Sequence, residues 1–344
     1  MQKQERRKYR CLLLLLTGAS GAVFCASILV GRYGVVHPIA LAGRILQPSY
    51  PGDRDIAMLL SIIRHIRLPR TCAAFLVGAS LADSGLVYQS AFQNKLVSPG
   101  ILGVTSGCCV GAGIAILRNL PSFGVSLSAF LFGAASVALA LLLPRLFRNQ
   151  TPLSLVLAGI IVGSFMDSVI SLIKFVADRE NKLSEITFWM MGSLAGIQME
   201  DIGHVFWIIA FSMTALSAMA WNIDVISLGR DVALSLGIHY AKERLKVVAA
   251  STMLTAACVS ISGNIGWVGL VVPHIARALV GENMRRCLPV AAICGGLFMM
   301  IVDMLSRLIT VNEIPLSVIS GLLGAVIYSA VLMKRGSGIE ESSG

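Results

Sequence analysis

The chain has 344 residues, 56% of them hydrophobic and only 13% charged, with a formal net charge of +10. A soluble domain carries about 25% charged residues, so this composition, at a mean hydropathy of +0.80, excludes a soluble enzyme, a disordered chain and a secreted disulfide scaffold. At about 20 apolar residues per crossing it supplies roughly eight to ten transmembrane helices, and runs such as 11–16 and 139–144 lack the alternation of a membrane β-barrel.

In chain order, the head carrying Arg6, Arg7, Lys8 and Arg10 precedes an apolar stretch of about 20 residues, too long for the 7–15 of a signal peptide core. Residues 1–10 therefore read as a basic cytoplasmic N-terminus and 11–31 as a retained first span. His37-Pro38, Pro48 and Pro51-Gly52-Asp53 punctuate an extracytoplasmic loop, and 56–66 reads as an amphipathic helix lying on the surface. Spans follow at 69–91, 99–117, 122–143, 152–175 and 202–221, with a short helix near 186–194 before the last. The polar segment 222–246 is the longest cytoplasmic stretch. Span 7 covers 247–262. Gly263, Gly266 and Gly269 interrupt the helical pattern before Pro273, and span 8 resumes to about 281. Spans 9 and 10 cover 288–309 and the stretch ending at 333. The Gly/Ser/Glu-rich tail 334–344 reads as disordered and cytoplasmic. The fold class is an all-α membrane protein of about ten transmembrane helices in one domain, 11–333. Lys and Arg gather on the segments this topology places inside, which accounts for the positive charge without a nucleic-acid partner.

Five segments stand out. Arg67-Leu68-Pro69-Arg70 opens span 2; its arginines either snorkel at the interface or offer a positive patch to an acidic partner. In the stretch 89–103 and beyond, Gly103, Gly107 and Gly111 form two G-x-x-x-G steps that suit close helix packing. In 228–238, a short helix begun near Gly229 can end at Gly237 and offer an apolar face to another protein. The interruption at Gly263, Gly266, Gly269 and Pro273 points to a translocation route, because non-helical backbone at membrane depth needs protein or a watery cavity around it. Glu313-Ile314-Pro315 is a turn before the last span. Asp83, Asp167, Lys174 and Asp303 lie inside spans and are functional candidates by default; Asp303 and Arg307, four apart, can pair. Proton-driven secondary transport is the rival that such residues raise. The eight cysteines include no C-x-x-C pair and the five histidines no H-E-x-x-H, so no metal site is expected. No Walker A sequence is present, and no G-x-S-x-G elbow supports an intramembrane hydrolase.

Together, 67–70, 89–103, 228–237, 266–277 and 313–315 resemble, in order and spacing, the FecCD-type permeases, the membrane subunits of ATP-binding-cassette importers for iron–siderophores, heme and cobalamin. The resemblance covers about 10–335 and implies a type II importer permease of ten spans in a prokaryotic inner membrane. It implies a second permease subunit, the same chain or a relative, two ATPase subunits that hold ATP and Mg, and an extracytoplasmic substrate-binding protein; this chain would hold no cofactor. It matches Arg67, Arg70 and Arg307 to arginines that pair with glutamates on the binding protein. It matches 228–238, with Gly229, Arg230, Asp231, Ala233, Leu236 and Gly237, to the cytoplasmic loop that docks on the ATPase. Asp167, with the interrupted segment, is assigned to the route. A ferric siderophore is the expected cargo, with heme and cobalamin as alternatives. Two departures stand out: Asn94-Lys95-Leu96-Val97 replaces the usual Asn-Pro-Leu-Ala, and Asp83 occupies a usually small or apolar position.

Overall fold

The computed structural model describes residues 2–31, 34–35, 54–146, 151–310 and 312–340. The expected loop around Pro38, Pro48 and 51–53 lies outside them, as do Arg148 and the last residues, 341–344. The helices are α1 (Gln2–Leu29), α2 (Arg54–Ile62), α3 (Leu68–Ala91), α4 (Val104–Leu117), α5 (Ser122–Leu146), α6 (Pro152–Val176) and α7 (Lys182–Met190), then α8 (Met199–Ala218), α9 (Ala220–Ser227), α10 (Arg230–Ser235), α11 (Tyr240–Ser262), α12 (Val268–Val280), α13 (Met284–Leu308) and α14 (Leu316–Glu340). Seven spans are long and apolar enough to cross a bilayer, and three shorter apolar helices, α4, α12 and the first part of α14, complete ten among the described residues.

Several boundaries differ from expectation for simple reasons. Helix α1 starts inside the basic head, because Gln, Glu, Arg and Lys propagate a helix well once the span has nucleated it. Helix α14 likewise continues past 334 to Glu340 instead of ending in a disordered tail. The expected surface helix at 56–66 is not separate: α2 passes through a π-helical turn, Ile63–Arg67, straight into α3. Pro69 cannot donate to the carbonyl of residue 65. The wider turn, in which the Leu68 amide reaches Ile63 O, carries the helix past that gap. A two-residue antiparallel pair, Val30–Gly31 with Gly34–Val35, follows α1.

Helix α3 is the hub. In its most apolar stretch 83% of residues are buried, against 11% in α1. Its sequence is rich in Ala, Gly and Ser, which lets neighbouring backbones come close. A methyl group added at Gly78 would land on Gly295 O of α13, and one at Gly85 on Gly269 O of α12. Helices α11 and α1 also pack on α3, while α4, α5, α6 and α7 form a second cluster around Cys109, Val110, Met166, Ile170 and Ile186. All eight cysteines are free, five of them buried.

Gly85→Ala is expected to lower the melting temperature in detergent through overpacking worth about 1–3 kcal/mol. Gly203→Ala, whose methyl meets nothing within 4 Å, should leave it level or raise it slightly, since Ala favours helix. Melting curves of the two variants check this.

Candidate functional site

At one end of the bundle, the π-helical turn at Ile63–Arg67, α3, α13 and the turn before α14 bring five ionisable side chains together. Arg70 Nε donates to Asp303 Oδ1 at 2.7 Å and its Nη1 to Glu313 Oε1 at 2.7 Å. Arg307 Nε lies 3.1 Å from Asp303 Oδ2, and its Nη2 donates to Ser27 Oγ at 2.7 Å. Arg67 Nη1 donates to the Ile28 and Leu29 carbonyls at 2.9 and 3.0 Å. These terminal carbonyls of α1 are among those a helix leaves unpaired within itself. The three arginines are only 3, 4 and 8% exposed for Arg67, Arg70 and Arg307, and Asp303 is wholly buried. The expected outward patch is thus a buried cluster in which Arg70 and Arg307 share the carboxylates of Asp303 and Glu313, while Arg67 is held by helix-end carbonyls. Of its ion-paired members, Glu313 is the most open, its side chain 32% exposed.

The opposite end of α3 is tied by neutral and charged donors. Pro273 has no amide to offer Gly269 O within α12, and Gln89 Nε2 reaches Gly269 O at 3.5 Å and Leu270 O at 3.4 Å. Arg277 Nη1 in turn donates to Gln89 Oε1, and Arg277 Nε lies 3.0 Å from Glu282, which also holds Lys95 at 2.7 Å. The segments 89–103 and 266–277, read separately in the sequence, are therefore one assembly. Gly269 and Pro273 sit inside regular helix here, not in the interruption.

The interruption itself is shorter, Gly263 to Trp267. It is held by Ser193 N–H to Ser262 O at 3.0 Å, beside Leu316 N–H to Gly192 O at 3.0 Å. Trp267 has φ 69°, costly for a bulky residue, and its ring lies against Gly321 and Gly324 of α14. With only 13 residues, α12 spans about 20 Å, so Gly266 falls within the depth of a bilayer core of about 30 Å. A cavity of about 420 Å³ opens beside Gly263, lined by Trp189, Ser193, Gly196, Asp201 and Ser262.

The segment 222–246 is not a loop. It consists of the end of α9, then α10, and the first turns of α11. Gly229 (φ 106°) and Gly237 (φ 76°) bracket α10 in backbone that other residues rarely adopt. Ile238 N–H to Ala233 O at 2.9 Å and Gly237 N–H to Leu234 O at 3.0 Å close it as a Schellman cap. Ala233 is buried, while Leu228, Val232, Leu234 and Leu236 are exposed; Arg230 and Asp231 are exposed as well. Anchors run to the hub. Gln93 donates to Ile226 O and Ser227 O at 3.4 and 3.3 Å, and Met284 N–H donates to Asp224 at 2.9 Å. Burial lifts the Asp224 carboxyl above its ordinary pKa, against that amide and Arg285, which favour its ionised form.

Helices α4 and α5 cross by bare backbone: a methyl at Gly107 would meet Ser136 Cβ at 2.6 Å, and one at Gly111 would land on Ser128 O. Gly103 lies just before α4, where its carbonyl accepts from Ser136 Oγ at 2.8 Å. Asp83 is buried in α3 with Oδ1 unbonded. Asp167 is exposed on α6, and Lys174 is half-buried two turns on. The structure does not join Asp167 to the Gly263–Trp267 interruption. The Glu313 partnership with Arg70 and the Gln89–Arg277 contact were missed from sequence, although both pairs lie inside the segments singled out there.

The FecCD transport family model matches residues 7–334. The molybdate import system permease protein of Haemophilus influenzae is 36% identical over 327 residues, covering 94% of this chain and 95% of that protein. A probable iron chelatin transport system permease protein of Helicobacter pylori is 34% identical over 282 residues, covering 82% and 85%. A solved structure described as an inward-facing ABC transporter of metal-chelate type superposes with a TM-score of 0.85 at 34% identity, over 94% of this chain and 99% of that one.

Asp303→Asn should leave two buried guanidinium groups short of charge and cost about 3–5 kcal/mol. Glu313→Gln, at the exposed edge, should cost about 1 kcal/mol or less. Thermal melts of both purified variants give the comparison.

Proposed function

The chain belongs to the FecCD transport family, and from that premise we propose that it carries a metal chelate, a ferric siderophore, from a binding protein into the cytoplasm. It is a multi-pass inner-membrane permease of an ABC importer, not an enzyme; ATP is bound and hydrolysed on a separate ATPase subunit. The observation that carries the reading is the pairing of two unlike ends. One holds the arginine cluster, and the other offers exposed apolar side chains, Leu228, Val232, Leu234 and Leu236, on and beside the short helix α10, which is anchored to the hub through α9.

In this reading Gly229, Arg230, Asp231, Ala233, Leu236 and Gly237 form the coupling element against the ATPase, whose strokes pass to α3 and α13 through Gln93 and Asp224. Both termini are cytoplasmic. The N-terminus shares the coupling end, since Glu5 lies 3.7 Å from Arg286 and Tyr9 packs under the same guanidinium. Two copies of the chain line one route, to which Asp167 and the segment at Gly263 and Gly266 belong; a related second permease is the alternative. Arg67, Arg70 and Arg307 receive acidic residues of the binding protein by exchange: a partner carboxylate takes the place of Glu313 on Arg70. Such charge pairs set encounter and register more than affinity. Heme and cobalamin are alternative cargoes, and the Haemophilus relative favours molybdate as a second reading.

Three measurements test this. The complex in proteoliposomes, with its ATPases and binding protein, should take up a ferric trihydroxamate only with ATP; uptake of molybdate alone selects the second reading. Leu234→Asp with Leu236→Asp should release the ATPase from the purified permease, and full retention removes the coupling assignment. Glu313→Gln should tighten binding-protein docking about two- to fivefold, the worth of one exposed ion pair, and unchanged affinity by titration removes the exchange.

A further inference from the structure

Helices α5 and α8 both pack along α11, and a groove runs between them. Phe123, Leu127 and Phe130 of α5 face Val205 and Ile208 of α8 across it, Ile261 of α11 forms its floor, and it holds about 130 Å³. Phe123 and Leu127 are 50 and 45% exposed, so the groove opens sideways, where lipid lies. At one end it meets the cavity of about 420 Å³ beside Gly263, and Ser126, Asp201 and Ser260 line both. This end also holds the arginine cluster, since Leu316 N–H, just beyond Glu313, bonds to Gly192 O there. Helix α8 has 20 residues and spans about 30 Å, the thickness of a bilayer core. Asp201, in its first turn, therefore lies at the depth of the lipid headgroups.

The polar end is acidic. Glu185 and Asp201 line the larger cavity, and no lysine or arginine among the described residues lines either one. Gln198 N–H takes one oxygen of Asp201 at 2.9 Å, and Lys182 takes one oxygen of Glu185 at 3.1 Å. Among the described residues no other hydrogen bond or ion pair reaches either carboxylate, and each keeps lone pairs to offer. His204 lies against the Phe123 ring at 4.8 Å and lines the groove; an imidazole has an N–H to donate in either tautomer. Residues three apart on a helix are neighbours, so Asp201 and His204 set an acceptor for a cation beside a donor for an anion.

We propose that the groove between α5 and α8 binds one phospholipid with a zwitterionic headgroup, a phosphatidylethanolamine of the outer leaflet. An acyl chain lies along Leu127, Phe130 and Ile208. The ammonium meets Asp201, with Glu185 behind it, and the phosphate takes donors from His204 and Ser126. Two carboxylates at the mouth oppose a headgroup of net negative charge, so the site prefers this lipid to phosphatidylglycerol. Only the outward sense of this end rests on the importer reading; the site itself does not depend on it.

The test is native mass spectrometry of the purified complex, permease with its ATPases, in detergent. The lipids are phosphatidylethanolamine and phosphatidylglycerol with the same palmitoyl and oleoyl chains, so that they differ only in the headgroup. Wild type should retain one phosphatidylethanolamine per permease chain in preference to phosphatidylglycerol. Asp201→Asn, which keeps an oxygen for the Gln198 amide, and Glu185→Gln should each narrow that preference about two- to fivefold, the worth of one exposed ion pair. Ile208→Trp fills the groove and should abolish the retained lipid. Equal retention of the two lipids by wild type overturns the proposal, as does a preference left unchanged in both carboxylate variants. Full retention by Ile208→Trp overturns it too. So does separation of the Ile208→Trp complex into single permease subunits, because the groove would then be a contact between copies. None of these outcomes bears on the importer reading, which uptake measures separately.

Discussion

Inside a bilayer the lipid is as apolar as a leucine side chain, so helices gain little from hiding apolar surface against one another and hold together by close contact. In this protein that contact is bare backbone. Gly78 of α3 meets Gly295 of α13, and Gly85 of α3 meets Gly269 of α12, each without room for a methyl group. These two crossings fix the angle and height of α3 against its neighbours. Both polar assemblies depend on them, because Arg70 and Asp303 lie beyond one crossing and Gln89 and Arg277 beyond the other.

The charged cluster is the costlier of the two assemblies. Removing an ionised group from water costs several kcal/mol, which is offset only when partners and hydrogen bonds are in place. Asp303 is fully buried and meets two guanidinium groups; α1 supplies Ser27 and its last carbonyls to the rest. Such a cluster fixes geometry rather than adding much stability. Glu313 differs because it sits at the rim and immediately precedes α14. A change of partner at Arg70 would therefore reach the start of a span directly.

At the other end the polar contacts are shorter-ranged and mostly to backbone. Gln89 fills the donor gap left by Pro273, and Gln93 and Asp224 fasten α9 to the hub. The short helix α10 is thereby attached to α3 and α13, the most tightly crossed helices. Helix α6 belongs instead to the second cluster with α4 and α5. A push on α10 thus acts first on the hub, while Asp167 rides on the other body.

Composition and hydropathy pattern alone determined membrane residence and about ten crossings, because a bilayer imposes about 20 apolar residues per span whatever the neighbours are. Ordered motifs determined the family, and spacing determined the pairing of Asp303 with Arg307, since residues four apart share a helix face. Tertiary structure decided the rest. Arg70 and Asp303 are separated by 233 positions, and no local period reports a contact made by a distant crossing. The burial of Arg67, Arg70 and Arg307 was likewise invisible, because a sequence shows that a charge exists but not whether a carboxylate or water faces it. The continuity of α2 with α3 also needed coordinates: the proline reads as a helix start, and only a widened turn before it lets the helix pass.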